Sequence, residues 1–230
     1  MSADFADFLQ KAILLVVPIV IAITFHEAAH GFVAYRCGDD TAYRLGRLTF
    51  NPLKHIDPMG TIILPLFLYI TTGFTFGYAK PVPVNFRRLR NPRRDMVLVA
   101  AAGPAINLVL AVAFAALLRV FPMPTSHFAA LFQQILIDCI FLNIILAVFN
   151  MIPLPPLDGG RVAVGLLPYP LSLYLARLER YGMLVLIGAL IVLPWIGAQM
   201  GVDLHIVQWI IGPVAERIAH FILWMTGNAG

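Results

Sequence analysis

Charged residues are scarce in this chain. They make up 12% of its 230 residues, whereas hydrophobic residues make up 60% and the mean hydropathy is +0.85. Soluble domains usually carry about 25% charged residues, so the composition excludes an ordinary soluble domain and predicts an integral membrane protein. The N-terminus, MSADFADFLQK, also lacks the basic start of a signal peptide. The apolar helix that follows it is therefore predicted to be a retained membrane segment.

Cysteine is nearly absent as well. Cys37 and Cys139 lie far apart and form no CxxC pair, which excludes a disulfide framework and a zinc ribbon. Both are predicted to be small buried packing residues. The formal net charge is +4. In a membrane protein this excess of basic residues indicates orientation rather than nucleic-acid binding, so no nucleic-acid partner is expected.

Long hydrophobic runs, by contrast, are plentiful. A membrane-spanning helix needs about 20 mostly apolar residues, and five stretches reach that length, at about 8–35, 96–118, 128–152, 173–198 and 205–225. A sixth stretch, 59–78, is rich in threonine, glycine and aromatic residues and is the least helix-like. We therefore predict an all-α polytopic membrane protein with five to six transmembrane helices, folded as a single domain over 1–230.

The placement of basic residues predicts how the chain crosses the membrane. Basic clusters flank 59–78 on both sides, and basic loops stay cytoplasmic. This stretch is therefore predicted to re-enter the membrane and return to its starting side, with 77–86, GYAKPVPVNF, as an edge-like extended segment. The resulting topology has the N-terminus outside and the C-terminus inside. It places thirteen of the sixteen Lys and Arg residues in internal loops.

Titratable side chains interrupt the first hydrophobic run. In HEAAH, His26 and His30 are four residues apart and share one face of a helix, with Glu27 beside them. This H-E-x-x-H spacing is typical of zinc hydrolases, in which both histidines bind the metal and the glutamate takes a proton from the attacking water. Two satisfied histidines and a salt-bridged glutamate are the structural alternative. The cost of placing ionisable groups in a membrane argues against it.

A catalytic zinc ion has three protein ligands, so one more ligand must come from elsewhere. The predicted topology places HEAAH in the inner half of the first helix, which leaves Asp57 and Asp158 as candidates. Asp158 follows three prolines that end a helix and precedes two glycines that permit a tight turn. An ordinary surface turn explains the same pattern equally well.

Three ordered motifs make the chain resemble the site-2 proteases, the intramembrane zinc metalloproteases of peptidase family M50. They are HEAAH, AAGPAIN (101–107) and NMIPLPPLDGGRV (150–162), and the stretches 46–65 and 77–85 look like those of compact bacterial and archaeal members without a PDZ or CBS domain. The resemblance implies one catalytic Zn²⁺, with Asp158 as the third ligand and Glu27 as the general base.

The resemblance also implies how the domain is organised. A three-helix catalytic core is expected within about 8–165, a re-entrant or strand-like membrane-associated segment within about 45–94, and C-terminal helices within about 171–226. Two more polar residues are candidates for the site. Asn107 is either an interhelical hydrogen-bonding group or a donor to substrate and oxyanion, and the resemblance favours the second role. His55 either donates to the oxyanion or lies at the membrane interface.

The function predicted from these features is zinc-dependent hydrolysis of peptide bonds in or near transmembrane segments, as in regulated intramembrane proteolysis. The expected substrates are single-span membrane proteins or remnant peptides, and the expected location is the cell membrane of a prokaryote, with the active site toward the cytoplasm. A homo-oligomer is compatible with the sequence. The alternatives are a membrane metal-ion transporter, because intramembrane His and Asp also mark ion pathways, and an inactive scaffold of the same fold.

Overall fold

The computed structural model describes residues 3–63, 67, 80–121 and 124–228, and within these ranges it contains helices and no strand. This confirms the all-α prediction. The helices are α1 (Ala3–Arg36), α2 (Thr41–Arg44), α3 (Pro92–Val120), α4 (His127–Asn150), α5 (Asp158–Leu166), α6 (Leu171–Arg177), α7 (Glu179–Ile187), α8 (Leu193–Met200) and α9 (Ile206–Met225). A π-helical segment, Gly188–Val192, joins α7 to α8, and shorter turns lie at Pro52–Lys54, Pro58–Ile63 and Phe86–Arg88.

Local sequence explains where the two central helices begin. Helix α3 starts with Pro92, whose missing N–H is not needed in the first turn, and Asp95 accepts a hydrogen bond from the Asn91 backbone N–H at 2.9 Å. Helix α4 starts after Ser126, whose hydroxyl oxygen accepts from the Ala129 N–H at 3.2 Å. These caps satisfy backbone groups that would otherwise lack partners at the helix ends.

Five helical segments are long and apolar enough to cross a membrane: Gln10–Arg36, Pro92–Val120, His127–Asn150, Glu179–Met200 and Ile206–Met225. The prediction of a polytopic membrane protein is thereby confirmed. The short turn Pro58–Ile63 overlaps the start of the sixth hydrophobic stretch, whereas 64–66 and 68–79 lie outside the described residues. The re-entrant path therefore stays a prediction. Residues 80–85, called the proline segment below, are neither helical nor paired as a strand with described residues.

Helices α1, α3 and α4 pack against one another and form the predicted three-helix core. Small residues make this close packing feasible, because Ala100, Gly103, Ala111 and Ala115 of α3 are all buried. Isoleucines of α4 fill the space beside the last two alanines, and α9 covers the same cluster with Ile211, Ala215, Ala219 and Ile222.

The last helix runs in a different direction from the one expected. Asn228, just after α9, donates its side-chain N–H to the Ala115 carbonyl at 2.8 Å, and Gly227 lies against Arg119. The C-terminal ends of α9 and α3 therefore lie on the same side of the bundle. The sequence-based topology had placed Arg119 and the C-terminus on opposite sides. The loop at 197–203 carries no Lys or Arg, so the charge pattern contained little information about this direction.

The proline segment is attached to the C-terminal end of α1. The buried Asp39 carboxylate accepts from the Asn85 backbone N–H at 2.6 Å, and the Arg90 N–H donates to the Cys37 carbonyl at 3.0 Å. At its other end, the Lys80 N–H donates to the His55 carbonyl at 2.9 Å. These bonds hold 80–85 beside the helix that carries HEAAH.

Candidate active site

Three side chains from α1 and α5 converge in the C-terminal half of α1. The Nε2 atoms of His26 and His30 lie 3.0 Å apart. Asp158 Oδ2 lies 3.0 Å from Nε2 of His26 and 3.2 Å from Nε2 of His30. The structure thus brings together both histidines of HEAAH and the aspartate of the LDG motif in a group that can hold a metal ion.

Hydrogen bonds on the far side of each ring determine which nitrogen carries the proton. His30 Nδ1 lies 2.7 Å from the Val99 carbonyl oxygen, which can only accept, so this nitrogen must donate. His26 Nδ1 lies 2.6 Å from Oδ1 of Asn107, which is also an acceptor. Each neutral ring therefore has its lone pair on Nε2, the atom that faces Asp158.

The Asp158 carboxylate is buried, with 7% of its surface exposed, and its Oδ2 has no hydrogen-bond partner among the described residues outside the two rings. Because both neutral rings have a lone pair on Nε2, neither of them donates a hydrogen bond to this oxygen. An anionic oxygen and two nitrogen lone pairs at this distance need a shared cation between them. The arrangement is therefore that of a cation site.

Zinc fits this set of donor atoms. Two imidazole nitrogens and one carboxylate oxygen are typical of catalytic zinc, which keeps a fourth position open. Ligand atoms around a tetrahedral zinc ion lie about 3.3 Å apart, given its usual bond lengths, and the separations here are 3.0 to 3.2 Å. The proton-bearing Nδ1 atoms are held by outer partners, as is usual for zinc-binding histidines.

Gly103 of α3 provides the space in which the two rings lie. A Cβ atom at this position would lie 2.5 Å from His26 Cε1 and 2.5 Å from His30 Nε2. Any larger residue would therefore push both ligands away from their present positions. The glycine in AAGPAIN is explained by the approach of the histidines, in addition to the helix packing expected from its small size.

The two glycines after Asp158 are required by close packing. A Cβ on Gly159 would lie 2.3 Å from the Met151 carbonyl oxygen, and one on Gly160 would lie 2.2 Å from the Pro155 nitrogen. Only glycine allows the start of α5 to fold back against the preceding loop at this distance. This return places Asp158 beside α1.

Glu27 is held by the proline segment. Its Oε2 accepts a hydrogen bond from the Val82 backbone N–H at 2.7 Å. This bond crosses from α1 to a segment 55 residues later in the sequence. An ionised carboxylate has about four acceptor positions, so Glu27 can still accept a proton while this bond is made.

Asn107 lies at the site but has little capacity left for a substrate. Its side chain is fully buried, its Oδ1 faces His26, and its Nδ2 donates to the Ala22 carbonyl at 3.2 Å and to Oδ1 of Asn143 at 2.7 Å. Both amide protons are therefore used within the protein. This geometry corresponds to the interhelical role, and an oxyanion role would require one of these bonds to break.

The other two candidates from the sequence have local partners. His55 is buried, and its Nε2 donates to the Thr49 carbonyl at 2.8 Å. Its Nδ1 can then only accept, so the neutral ring has no proton left to offer an oxyanion. Asp57 Oδ1 accepts from the backbone N–H groups of Met59 and Gly60 at 3.0 and 2.9 Å. Asp158, and not Asp57, is the acid that joins the histidines.

Sequence reasoning missed three contributors to the site, one of which is the Val99 carbonyl that holds His30 Nδ1. The other two are Asn143 and Val82. Asn143 of α4 is fully buried and bonds to Asn107, and the backbone of Val82 bonds to Glu27. A polar amide in the middle of an otherwise apolar helix was the available signal for Asn143. No side-chain pattern could have indicated Val82, because its backbone makes the contact.

Known proteins match this chain over most of its length. The model of peptidase family M50 matches residues 14–139 and 120–193. "Putative zinc metalloprotease YwhC" of Bacillus subtilis (strain 168) is 42% identical over 175 residues, which are 74% of this chain and 77% of that protein. "Putative zinc metalloprotease Rip2" of Mycolicibacterium smegmatis is 33% identical over 180 residues, 78% of this chain and 67% of that protein. No solved structure gives a significant match.

The family match and the site geometry agree with each other. The matched residues include HEAAH on α1 and the LDG aspartate at the start of α5. Family membership implies zinc as the cofactor, and His26, His30 and Asp158 form the group that can hold it. The chain is thus a multi-pass membrane protein that belongs to peptidase family M50, the family of the site-2 proteases.

Proposed function

We propose that this protein is a zinc metalloprotease that hydrolyses peptide bonds in or near transmembrane segments of other membrane proteins. The observation that supports this most directly is the convergence of His26, His30 and Asp158, with Glu27 beside them, inside a bundle of membrane-spanning helices. The proposed substrates are single-span membrane proteins or remnant peptides.

The depth of the site supports cleavage within the membrane. His26 and His30 lie ten and six residues before Arg36, where α1 ends. At 1.5 Å per residue they are about 15 and 9 Å from the end of the helix. This distance supports the proposal that the scissile peptide bond lies below the surface of the bilayer when it reaches the site.

The chemistry divides between the metal ion and Glu27. His26, His30 and Asp158 would hold the zinc ion, which would supply Lewis acidity and a water that is nucleophilic near neutral pH. Glu27 takes the proton from the attacking water, whose oxygen bonds to the scissile carbonyl carbon. Glu27 then transfers this proton to the amide nitrogen as the C–N bond breaks, which releases a carboxyl group and an amine.

We further propose that the substrate binds as a strand along the proline segment. A transmembrane helix uses its peptide groups internally, so it must unwind before cleavage, and strand addition would satisfy the exposed groups. The bond from the Val82 N–H to Glu27 places this segment next to the general base. Substrate bound there would lie beside the reacting groups.

Proline at position 84 tests this binding mode. Val84→Pro removes one N–H from the segment and is expected to lower the cleavage of helical substrates by about two- to tenfold, the effect of one lost hydrogen bond. Rates are measured against Val84→Ala, which keeps the N–H. Equal rates for these two variants would contradict strand addition. Val82→Pro is a poorer choice, because it also removes the hydrogen bond to Glu27.

We also propose that the protein lies in the cell membrane with its N-terminus outside and its active site toward the cytoplasm. The basic residues at the C-terminal end of α1 and the N-terminal end of α3 support this orientation. A cysteine at Thr125, in a chain whose native cysteines are replaced by alanine, is then expected to react with an impermeant maleimide on intact cells. If the cysteine reacts only after lysis, the orientation is the opposite of the proposed one.

Reconstitution into vesicles tests the proposed function as a whole. The purified protein is incubated with a panel of single-span substrates, and the products are identified by mass spectrometry. We expect cleavage within or next to the membrane span, loss of cleavage with a zinc chelator and recovery when zinc is added back. Zinc flux into the vesicles without cleavage would indicate a transporter. Zinc binding with neither cleavage nor flux would indicate an inactive scaffold.

A further inference from the structure

A chain of buried amides connects α4 to the site. Asn107 and Asn143 both have 0% of their surface exposed. Asn143 Nδ2 donates to the Cys139 carbonyl at 2.8 Å, Asn107 Nδ2 donates to Asn143 Oδ1 at 2.7 Å, and Asn107 Oδ1 lies 2.6 Å from His26 Nδ1. The chain thus runs from a backbone carbonyl of α4 to a ligand on α1.

The direction of every bond in this chain follows from its first member. The Cys139 carbonyl can only accept, so the NH₂ group of Asn143 must face it. Asn143 then presents its oxygen to Asn107, which turns the NH₂ group of Asn107 away from His26 and its oxygen toward the ring. An oxygen at this position requires a proton on His26 Nδ1, and the lone pair is left on Nε2.

The two ligand histidines differ in the group that keeps the proton on Nδ1. His30 Nδ1 faces the Val99 backbone carbonyl, whose orientation is fixed by the helix. His26 faces a side-chain amide, which can rotate by half a turn and present NH₂ instead of oxygen. The Ala22 carbonyl favours the observed orientation at 3.2 Å, and Asn143 favours it at the shorter distance of 2.7 Å.

We propose that Asn143 is a positioning residue for the zinc site. It fixes the orientation of Asn107 and, through it, the Nδ1–H form of His26 that can bind metal through Nε2. Helix α4 therefore supports the site twice: its middle orients His26, and the loop after its C-terminal end leads to Asp158. The proposal takes zinc as the ligand, as the proposed function does, but it does not depend on proteolysis.

The test measures zinc affinity by competition with a chromogenic chelator. Asn143→Leu removes the amide at similar volume and is expected to weaken zinc binding about tenfold, at the low end of the 10- to 100-fold effect of outer partners of metal ligands. Asn228→Ala is the control, since it breaks another amide-to-carbonyl bond on α3 that does not lead to a ligand. Its zinc affinity should equal that of the unmodified protein.

A double-mutant cycle separates this role from a general effect on packing. If Asn143 acts through Asn107, adding Asn143→Leu to Asn107→Leu should weaken zinc binding no further. Additive effects, or an unchanged affinity in Asn143→Leu, would overturn the proposal. Asn143→Ala, which adds no bulk, provides the same comparison if the leucine variant does not fold. An unmodified protein that binds zinc but cleaves no substrate would contradict the proposed function and leave this proposal standing.

Discussion

Replacing Glu27 with glutamine is expected to lower turnover by about 10²- to 10⁴-fold while zinc remains bound. The amide has nearly the same shape, and its oxygen can still accept the hydrogen bond that the Val82 N–H now gives to Glu27. It cannot take a proton from water. The three ligand atoms belong to other residues, so the metal site should stay intact.

Single-turnover cleavage and zinc content should be measured on the same preparation of Glu27→Gln. Glu179→Gln is the matched control, because Glu179 is exposed and contacts Arg161 at 3.6 Å, in an ion pair on the protein surface. That variant should cleave at the normal rate. Normal cleavage by Glu27→Gln would exclude Glu27 as the general base, and loss of zinc would show that its role is structural.

Replacing Gly103 with alanine is expected to weaken zinc binding by about 100-fold or more and to abolish cleavage in parallel. The added methyl group would lie about where the two rings now approach α3, 2.5 Å from atoms of His26 and His30. Both rings would have to move, and mutation of an outer partner of a metal ligand alone typically costs 10- to 100-fold in affinity. Alanine favours a helix more than glycine does, so the helix itself should not be weakened.

Gly212→Ala provides the control for this substitution. Gly212 lies in α9, and among the described residues a Cβ there meets no atom beyond its own stretch of helix within 4 Å. Zinc affinity and cleavage should both be unchanged in that variant. Gly103→Ala with normal zinc affinity would mean that the rings do not lie against α3 as described.

The parts of the fold that depend on local sequence were predictable. Spans follow from runs of apolar residues, and the spacing in HEAAH places His26 and His30 on one face of α1 whatever the rest of the chain does. The third ligand could not be predicted from local sequence. The predicted topology left both Asp57 and Asp158 as candidates, and only the family resemblance favoured Asp158. The structure adds the physical reason, since Asp57 caps a turn whereas Asp158 faces the rings.

Contacts between segments far apart in sequence could not be predicted. The bond between Val82 and Glu27 spans 55 residues and involves a backbone atom, and the bond between Asn107 and Asn143 spans 36. Such contacts depend on how helices pack, which no local pattern specifies. The predicted direction of α9 was wrong for a related reason. The loop before it, at 197–203, lacks the basic residues that orient a helix.

The central claim is that His26, His30 and Asp158 hold one zinc ion, and the zinc-to-protein ratio measures it most directly. The unmodified protein, Asp158→Asn and Asp57→Asn are passed over a chelating resin and analysed for metal and protein. The account predicts a ratio near one for the unmodified protein and for Asp57→Asn, and a ratio well below one for Asp158→Asn. A ratio near one in Asp158→Asn, or loss of zinc in Asp57→Asn alone, would contradict it.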